Sequence, residues 1–164
     1  MIKKLLLALM LAIPVSMCAQ KFAVINTQAI MAEMPEVKAA EEQLAASNKK
    51  YQDEFQKLQE EFGKKFEEFQ ALDANTPETI KERRTTEMQE LEAKIRQFQQ
   101  TASEDLQRQQ QQLLAPIQEK VLQAVEAVGA EGAYTFVFEN VMPVYTGKDV
   151  TDITPTVKTR LGIK

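Results

Sequence analysis

The segment Thr76–Val128, TPETIKERRTTEMQELEAKIRQFQQTASEDLQRQQQQLLAPIQEKVLQAVEAV, decides how this chain is read, because its apolar residues return every eleven positions through five repeats. One series is Ile80, Leu91, Ala102, Leu113 and Ala124; a second, four residues further on, is Arg84, Ile95, Leu106, Ile117 and Val128. Nine of those ten positions are apolar, and the residues between Ile80 and Leu113 are mostly charged or Gln, so the pattern predicts one helix with one apolar stripe. Eleven residues in three turns is about 3.67 per turn, close to the relaxed helix, so the stripe runs nearly straight. A stripe that long needs a partner to cover it.

The partner lies just upstream, where Tyr51, Phe55, Leu58, Phe62, Phe66 and Phe69 step by three or four and repeat at eleven in the pairs Tyr51/Phe62, Phe55/Phe66 and Leu58/Phe69. Between the two segments, Asp73-Ala74-Asn75-Thr76-Pro77-Glu78 reads as a turn: Thr76 suits an N-cap, Pro77 the first helical position and Glu78 the positive end of the helix dipole. The expectation is an antiparallel helical hairpin over residues 36–128, turning at about 73–77. At 1.5 Å per residue its two helices would reach roughly 55 and 75 Å. Gly63 inside the first helix reads as a tolerated weak point, and Pro116 predicts a kink in the second, since it removes one backbone donor and crowds the Gln112 carbonyl. Gly129 and Gly132 are expected to end that helix.

The flanks differ in kind. Met1-Ile2-Lys3-Lys4 followed by Leu5 to Val15 has the basic and apolar regions of a secretion signal, and Ser16-Met17-Cys18-Ala19 offers a cleavage region, so residues 1–19 are read as a signal peptide. Cleavage after Ala19 would remove Cys18, the single cysteine; acylation of Cys18 as a lipoprotein anchor is the alternative, although Met17 is a poor residue before such a site. Phe22-Ala23-Val24-Ile25-Asn26 is a short β-prone run, and Asn26-Thr27 can cap a brief helix over residues 28–34 before Pro35. After the arm, Ala133 to Phe138 and Val141 to Tyr145 are β-prone runs around Glu139-Asn140 and are expected to form a hairpin. Thr154-Pro155 repeats the cap-and-proline signal ahead of a last short helix. The fold class that follows is α+β, with the helical arm inserted into a small β body made from residues 20–35 and 129–164.

Composition removes several function classes. The formal charge is −4, and without Lys3 and Lys4 it becomes −6, from 18 positive and 24 negative groups, so no nucleic-acid partner is expected. There is no His for general-base or metal work and no Gly-rich phosphate loop; adjacent acids such as Glu60/Glu61 and Glu67/Glu68 read as surface charge answered by Lys57, Lys64 and Lys65. No catalytic residue, cofactor or metal ligand is assigned, and no enzyme is expected. The Phe-rich stripe has two readings that can hold together: a coiled-coil seam, or rings at Phe55, Phe62, Phe66, Phe69 and Phe98 that leave spare apolar surface for a bound chain.

The plan of leader, strand, long helical hairpin and returning strands resembles the Skp (OmpH) family of periplasmic chaperones. Phe22-Ala23-Val24-Ile25-Asn26 with Met34-Pro35-Glu36, Pro116-Ile117-Gln118-Glu119-Lys120-Val121, and Asp149-Val150-Thr151-Asp152-Ile153-Thr154 are similar to that family's first strand, returning helix and C-terminal signature. The resemblance implies a jellyfish-like homotrimer, with strands of three subunits forming the body and three arms enclosing a cavity for unfolded outer-membrane proteins. Such a protein works in the periplasm as a holding chaperone without ATP. With few strands per subunit, Val24, Ile25, Phe136 and Val137 are the expected trimer core. The rival reading is a structural coiled-coil envelope protein that spaces or cross-links partners. Family arms are often basic at their tips, whereas residues 57–90 here hold six positive and nine negative groups, which gives no support to contact with membrane lipid or lipopolysaccharide.

Overall fold

Strand β1 (Phe22–Ile25) sits in the middle of a three-stranded sheet whose other two members lie more than a hundred residues away in sequence. The computed structural model describes residues 20–163; the expected signal peptide and Cys18 lie outside them. After β1 come α1 (Thr27–Glu33), the two long helices α2 (Pro35–Gln70) and α3 (Glu78–Glu131), then β2 (Phe136–Glu139), β3 (Thr151–Asp152) and α4 (Thr154–Arg160). The strand order is β2-β1-β3, and both outer strands run parallel to β1, in the register Phe22 with Phe136 and Ala23 with Thr151. The architecture is α+β: a long helical hairpin together with a small sheet drawn from the two ends of the chain.

The arm agrees with the eleven-residue pattern. With 36 and 54 residues, α2 and α3 extend about 54 and 81 Å. Leu91, Ala102 and Ala124 of the first series and Ile117 and Val128 of the second are buried, while Ile80, nearest the turn, is the one apolar member left exposed. Where α2 and α3 return to the body they close over one core of Ala23, Ile25, Ile30, Met34, Val37, Ala40, Ile117, Val121, Ala124, Val128, Ile153 and Val157.

Several local expectations change. The β-hairpin expected over residues 133–145 does not form. Val141 to Tyr145 is not a strand, and the Asn140 N–H continues the parallel ladder to the Ile25 carbonyl at 2.8 Å instead of turning back. Pro143 within that run lacks the donor an inner strand would use, and β1 offers its two edges to β2 and β3. Helix α3 runs on through Pro116, so the proline does not end it: one missing donor in a long ladder is outweighed by the packing of Ile117, Val121 and Ala124. It also continues past Gly129, which is buried against the Val137 side chain, and ends at Gly132. There the Ala133 N–H bonds the Ala130 carbonyl and the Tyr134 N–H bonds the Gly129 carbonyl, a Schellman closure with Ala133 in the left-handed region at φ 53°. Glycine stands one place earlier because the Tyr134 ring lies where a Cβ on residue 132 would be, 2.2 Å from it. The turn also differs by one position, with Pro77 as N-cap and no capping bond from Thr76.

The start of α4 differs in a way that ties the chain ends together. Thr154 is the first helical residue, not the cap, and the Asp152 carboxylate accepts its N–H at 2.9 Å. That frees the buried Thr154 hydroxyl to accept the Asn26 N–H at 2.9 Å, while the Asn26 side chain caps α1 through the Ala29 N–H at 2.8 Å, as expected for Asn26. Replacing Thr154 by Val keeps the shape and strands the Asn26 donor, a loss of about 1–3 kcal/mol. Urea unfolding should show that loss for Thr154→Val and much less for Thr154→Ser; equal stability of the two variants would mean that the hydroxyl does not matter.

Candidate functional site

The arm is joined by rungs of different chemistry. Nearest the body is the apolar core. Further out, the Tyr51 hydroxyl of α2 donates to the Asp105 carboxylate of α3 at 2.5 Å, and Gln109 and Arg108 donate to the same carboxylate. The Tyr51 ring meets Phe98 at a centroid distance of 6.0 Å. Buried Leu58 and Leu91 form an apolar stretch beyond it. Closer to the turn, Lys65 of α2 lies 3.3 Å from Glu87 of α3, and Arg84 reaches both Glu87 at 3.1 Å and Glu68 across the seam at 3.6 Å. Arg84 is the single polar member of the eleven-residue series, and this network explains it: near the tip an apolar residue is replaced by a half-buried guanidinium that connects the two helices.

The five expected client-contact rings are not equivalent. Phe55 and Phe98 line one groove between the helices, with Tyr51, Ala102 and Leu106. Phe62 lines the next with Ile95, and stacks on Phe66 at 6.4 Å. Phe66 is the most open, at 44 % exposure, and Phe69 is half-buried beside the turn. All five therefore lie along the arm, but as separate stations and not as one patch.

The four expected trimer-core residues divide between two faces of the sheet. Side chains alternate along a strand, so Ala23, Ile25 and Val137 point to the helices and join the subunit's own core. Phe22, Val24, Phe136 and Phe138 share the opposite face. There three phenyl rings stack mutually, Phe22 on Phe136 at 6.2 Å, Phe22 on Phe138 at 6.5 Å and Phe136 on Phe138 at 5.8 Å, with Phe136 and Phe138 55 % and 41 % exposed. Beside β2 the loop carries Val141, Met142, Val144 and Tyr145, all strongly exposed. Sequence reasoning had missed Phe22 and Phe138, although a period of two from Val24 and Phe136 reaches both. Among the described residues no three His, Cys, Asp or Glu side chains converge on a metal position, and no helix is long and apolar enough to cross a membrane.

Comparison with known families adds one decisive finding: residues 21–161 match the model of the family described as "Outer membrane protein (OmpH-like)". The chain belongs to this OmpH-like family. The match takes in β1, the whole arm, the returning strands and all of α4, so the resemblance noted from three short motifs extends over the described fold. A search of curated proteins by sequence finds no match.

The Tyr51–Asp105 rung gives the arm a pH dependence. The Tyr51 hydroxyl, then Gln109, then Arg108 hold the Asp105 carboxyl below the usual carboxylate range, and the bond to Asp105 raises the Tyr51 hydroxyl above its own. A depressed carboxyl stabilises the fold above its unfolded value, about 3.9, and that contribution is lost as pH falls through the folded value. A raised phenol contributes below its unfolded value, about 10, and is lost as pH rises through the folded one. The rung is therefore complete near neutrality. Tyr51→Phe should lower the melting temperature of the helices at pH 7, and the gap to wild type should narrow at pH 2.5. Circular dichroism at 222 nm checks this; a gap independent of pH would assign the loss to packing alone.

Proposed function

We propose that this chain is the subunit of a periplasmic holding chaperone, which assembles as a homotrimer and keeps unfolded outer-membrane proteins from aggregating between its helical arms. The observation that carries this reading is apolar surface left uncovered at two separated places in an OmpH-like chain: the rings along the arm, and the open face of the sheet. The leader-like residues 1–19 support export to the periplasm, and nothing in the sequence resembles a nucleotide site, so holding requires no ATP.

Assembly follows from the sheet. A sheet of three strands, two of them only four residues long and the third only two, buries too little apolar area to be stable with one face in water. The stacked rings of Phe22, Phe136 and Phe138 need a cover, and the outer edge of β2 has backbone groups free to pair with another chain. Copies of the same face around a threefold axis would provide both. Client holding then falls to the arm rings Phe55, Phe62, Phe66, Phe69 and Phe98, by apolar contact more than by charge, since the acidic chain has no strongly positive field to attract clients.

Two measurements test the reading. At a stoichiometric amount of trimer, aggregation of an outer-membrane β-barrel diluted from urea should be suppressed, with or without ATP; no protection would leave the spacer role as the better account. Phe136→Asp should shift the light-scattering mass from trimer to monomer with the helical signal kept, because this ring is 55 % exposed in the single subunit. An unchanged trimer mass would remove the ring face from the interface. Val137 is unsuited to the same test, since a charge there would enter the subunit's own core.

A further inference from the structure

The two sides of the arm, left and right of the seam, are chemically different. Three grooves of about 420, 320 and 310 Å3 follow one another along one side. The first two share Asn48, Ser103 and Leu106, and the third begins one turn further out at Gln59. Their floor is apolar: Leu44, Leu106, Phe55, Phe98, Ile95 and Phe62. The rim of the first two is uncharged but rich in hydrogen-bonding groups, namely Asn48, Gln52, Ser103, Gln99, Gln107 and Gln110. The only charged rim residues, Glu92 and Arg96, pair with each other at 3.6 Å.

The far side differs most on α2, where Lys50, Glu54, Lys57 and Glu61 recur at helical spacing half a turn round from this groove; level with the grooves, that side of α3 carries Lys94 and Arg108 among Gln97, Thr101 and Gln112. On α2 the uncharged rim of Asn48, Gln52 and Gln59 is a feature of one face, while on α3 the rim lies in the Gln-rich segment 97–112.

We propose that this neutral side of the arm is a track for an extended segment of the client, one with apolar and polar residues in alternation. The inference rests on the holding function proposed above and specifies where and how a client is held. The charge and hydrogen-bonding character of the groove complement an extended chain. Its apolar floor takes every second side chain, and the carboxamides and hydroxyls on the rim, which both donate and accept, suit the uncharged backbone groups that an unpaired strand exposes. Carboxylates and ammonium groups could serve only one of those two roles, and would bind water more strongly. Length agrees as well. From Leu44 to Phe62 the helix advances about 27 Å, which spans about eight residues of extended chain. A membrane-spanning β-strand has about 9–11 residues and alternates in this way.

The test compares the two sides within one helix. In a Cys18→Ser background, single cysteines are introduced as Asn48→Cys and Ser103→Cys on the groove side, and as Lys50→Cys and Gln112→Cys on the far side. All four positions are exposed. Each is labelled with a benzophenone maleimide and illuminated with a urea-diluted outer-membrane β-barrel, and protection against aggregation is read in the same samples. Cross-linking to client from 48 and 103 should exceed that from 50 and 112 at least fivefold. Equal yields with protection intact overturn the track and leave the holding function standing. Cross-links from 48 and 103 between copies of this chain, in place of client, also overturn it, since the groove would then be an inter-arm surface. Loss of protection in the unlabelled background protein removes both proposals. As a second arm, a ten-residue peptide alternating Val and Thr should compete for the groove-side cross-link at a concentration at least tenfold lower than a peptide of the same composition in two blocks; equal competition overturns the requirement for alternation.

Discussion

Everything in this structure depends on a four-residue strand being enclosed from both sides by segments that arrive much later in the chain. β1 has both edges occupied, by β2 and by β3, and its Ala23 and Ile25 are almost wholly buried. Because β2 runs parallel to β1, the intervening chain has to leave at the C-terminal end of β1 and re-enter at the opposite end of the sheet: the helical hairpin brings it back to the body, and α3, with 54 residues against 36 in α2, carries it the rest of the way. The arm is thus the crossover connection of a parallel pair, extended far beyond the length a crossover needs. The Thr154 hydroxyl on the Asn26 N–H fixes the second closure, with α4 docked beside α1. These contacts are non-local, so the loop-closure cost of the whole arm must be met before the sheet can form. Formation of α2 and α3 as a hairpin, from contacts local to the turn, brings the chain ends together and lowers that cost.

Along the arm, apolar and polar rungs have separate roles. An eleven-residue stripe alone allows the helices to slide by a repeat, since Tyr51/Phe62 and Phe55/Phe66 are similar steps. Polar contacts with single partners remove that freedom. Tyr51 reaches Asp105, and Lys65 reaches Glu87, and shifting one helix by eleven residues would break both. The half-buried ion pairs near the tip, still reached by solvent, contribute little stability individually. Their value here is register, which places the grooves at a fixed sequence of stations.

Much of this is legible in the sequence. The period of eleven in Ile80 to Ala124 and Arg84 to Val128 gave the length and pairing of the helices, because a long stripe leaves few alternatives for what can cover it. Short elements were read less well. The run Val141 to Tyr145 has strand composition, but composition carries no information about which edges of β1 are free. Thr154-Pro155 looked like a cap because the pair has that form locally, whereas the hydroxyl is used by Asn26 across the fold. Arg84 stood as an unexplained exception until its partners on both helices were seen. Among the candidate site residues, Phe55 and Phe62 lie on the spacing of the first helix and Phe98 stands out only as a further ring on the arm, yet nothing in a single series tells which side of the seam each ring opens to. That requires both helices, since each groove is lined from α2 and α3 together.

The choice of Phe over Leu in the seam links the stability of the arm to its use. Leu and Ile at every seam position would interdigitate more fully and leave less apolar surface in contact with water. Phenyl rings at 55, 62, 66 and 69 are instead half-buried or exposed, so part of the area that could hold the helices together remains open at their side. An arm built this way is less stable outward from Leu58 and Leu91 than a Leu zipper of equal length. The loss is tolerable because α2 and α3 are anchored at their base by Val37, Ala40, Ile117 and Val121, which are at least nine-tenths buried. Stability is concentrated where the chain ends meet, and the distal arm can therefore carry apolar surface without having to sustain the fold.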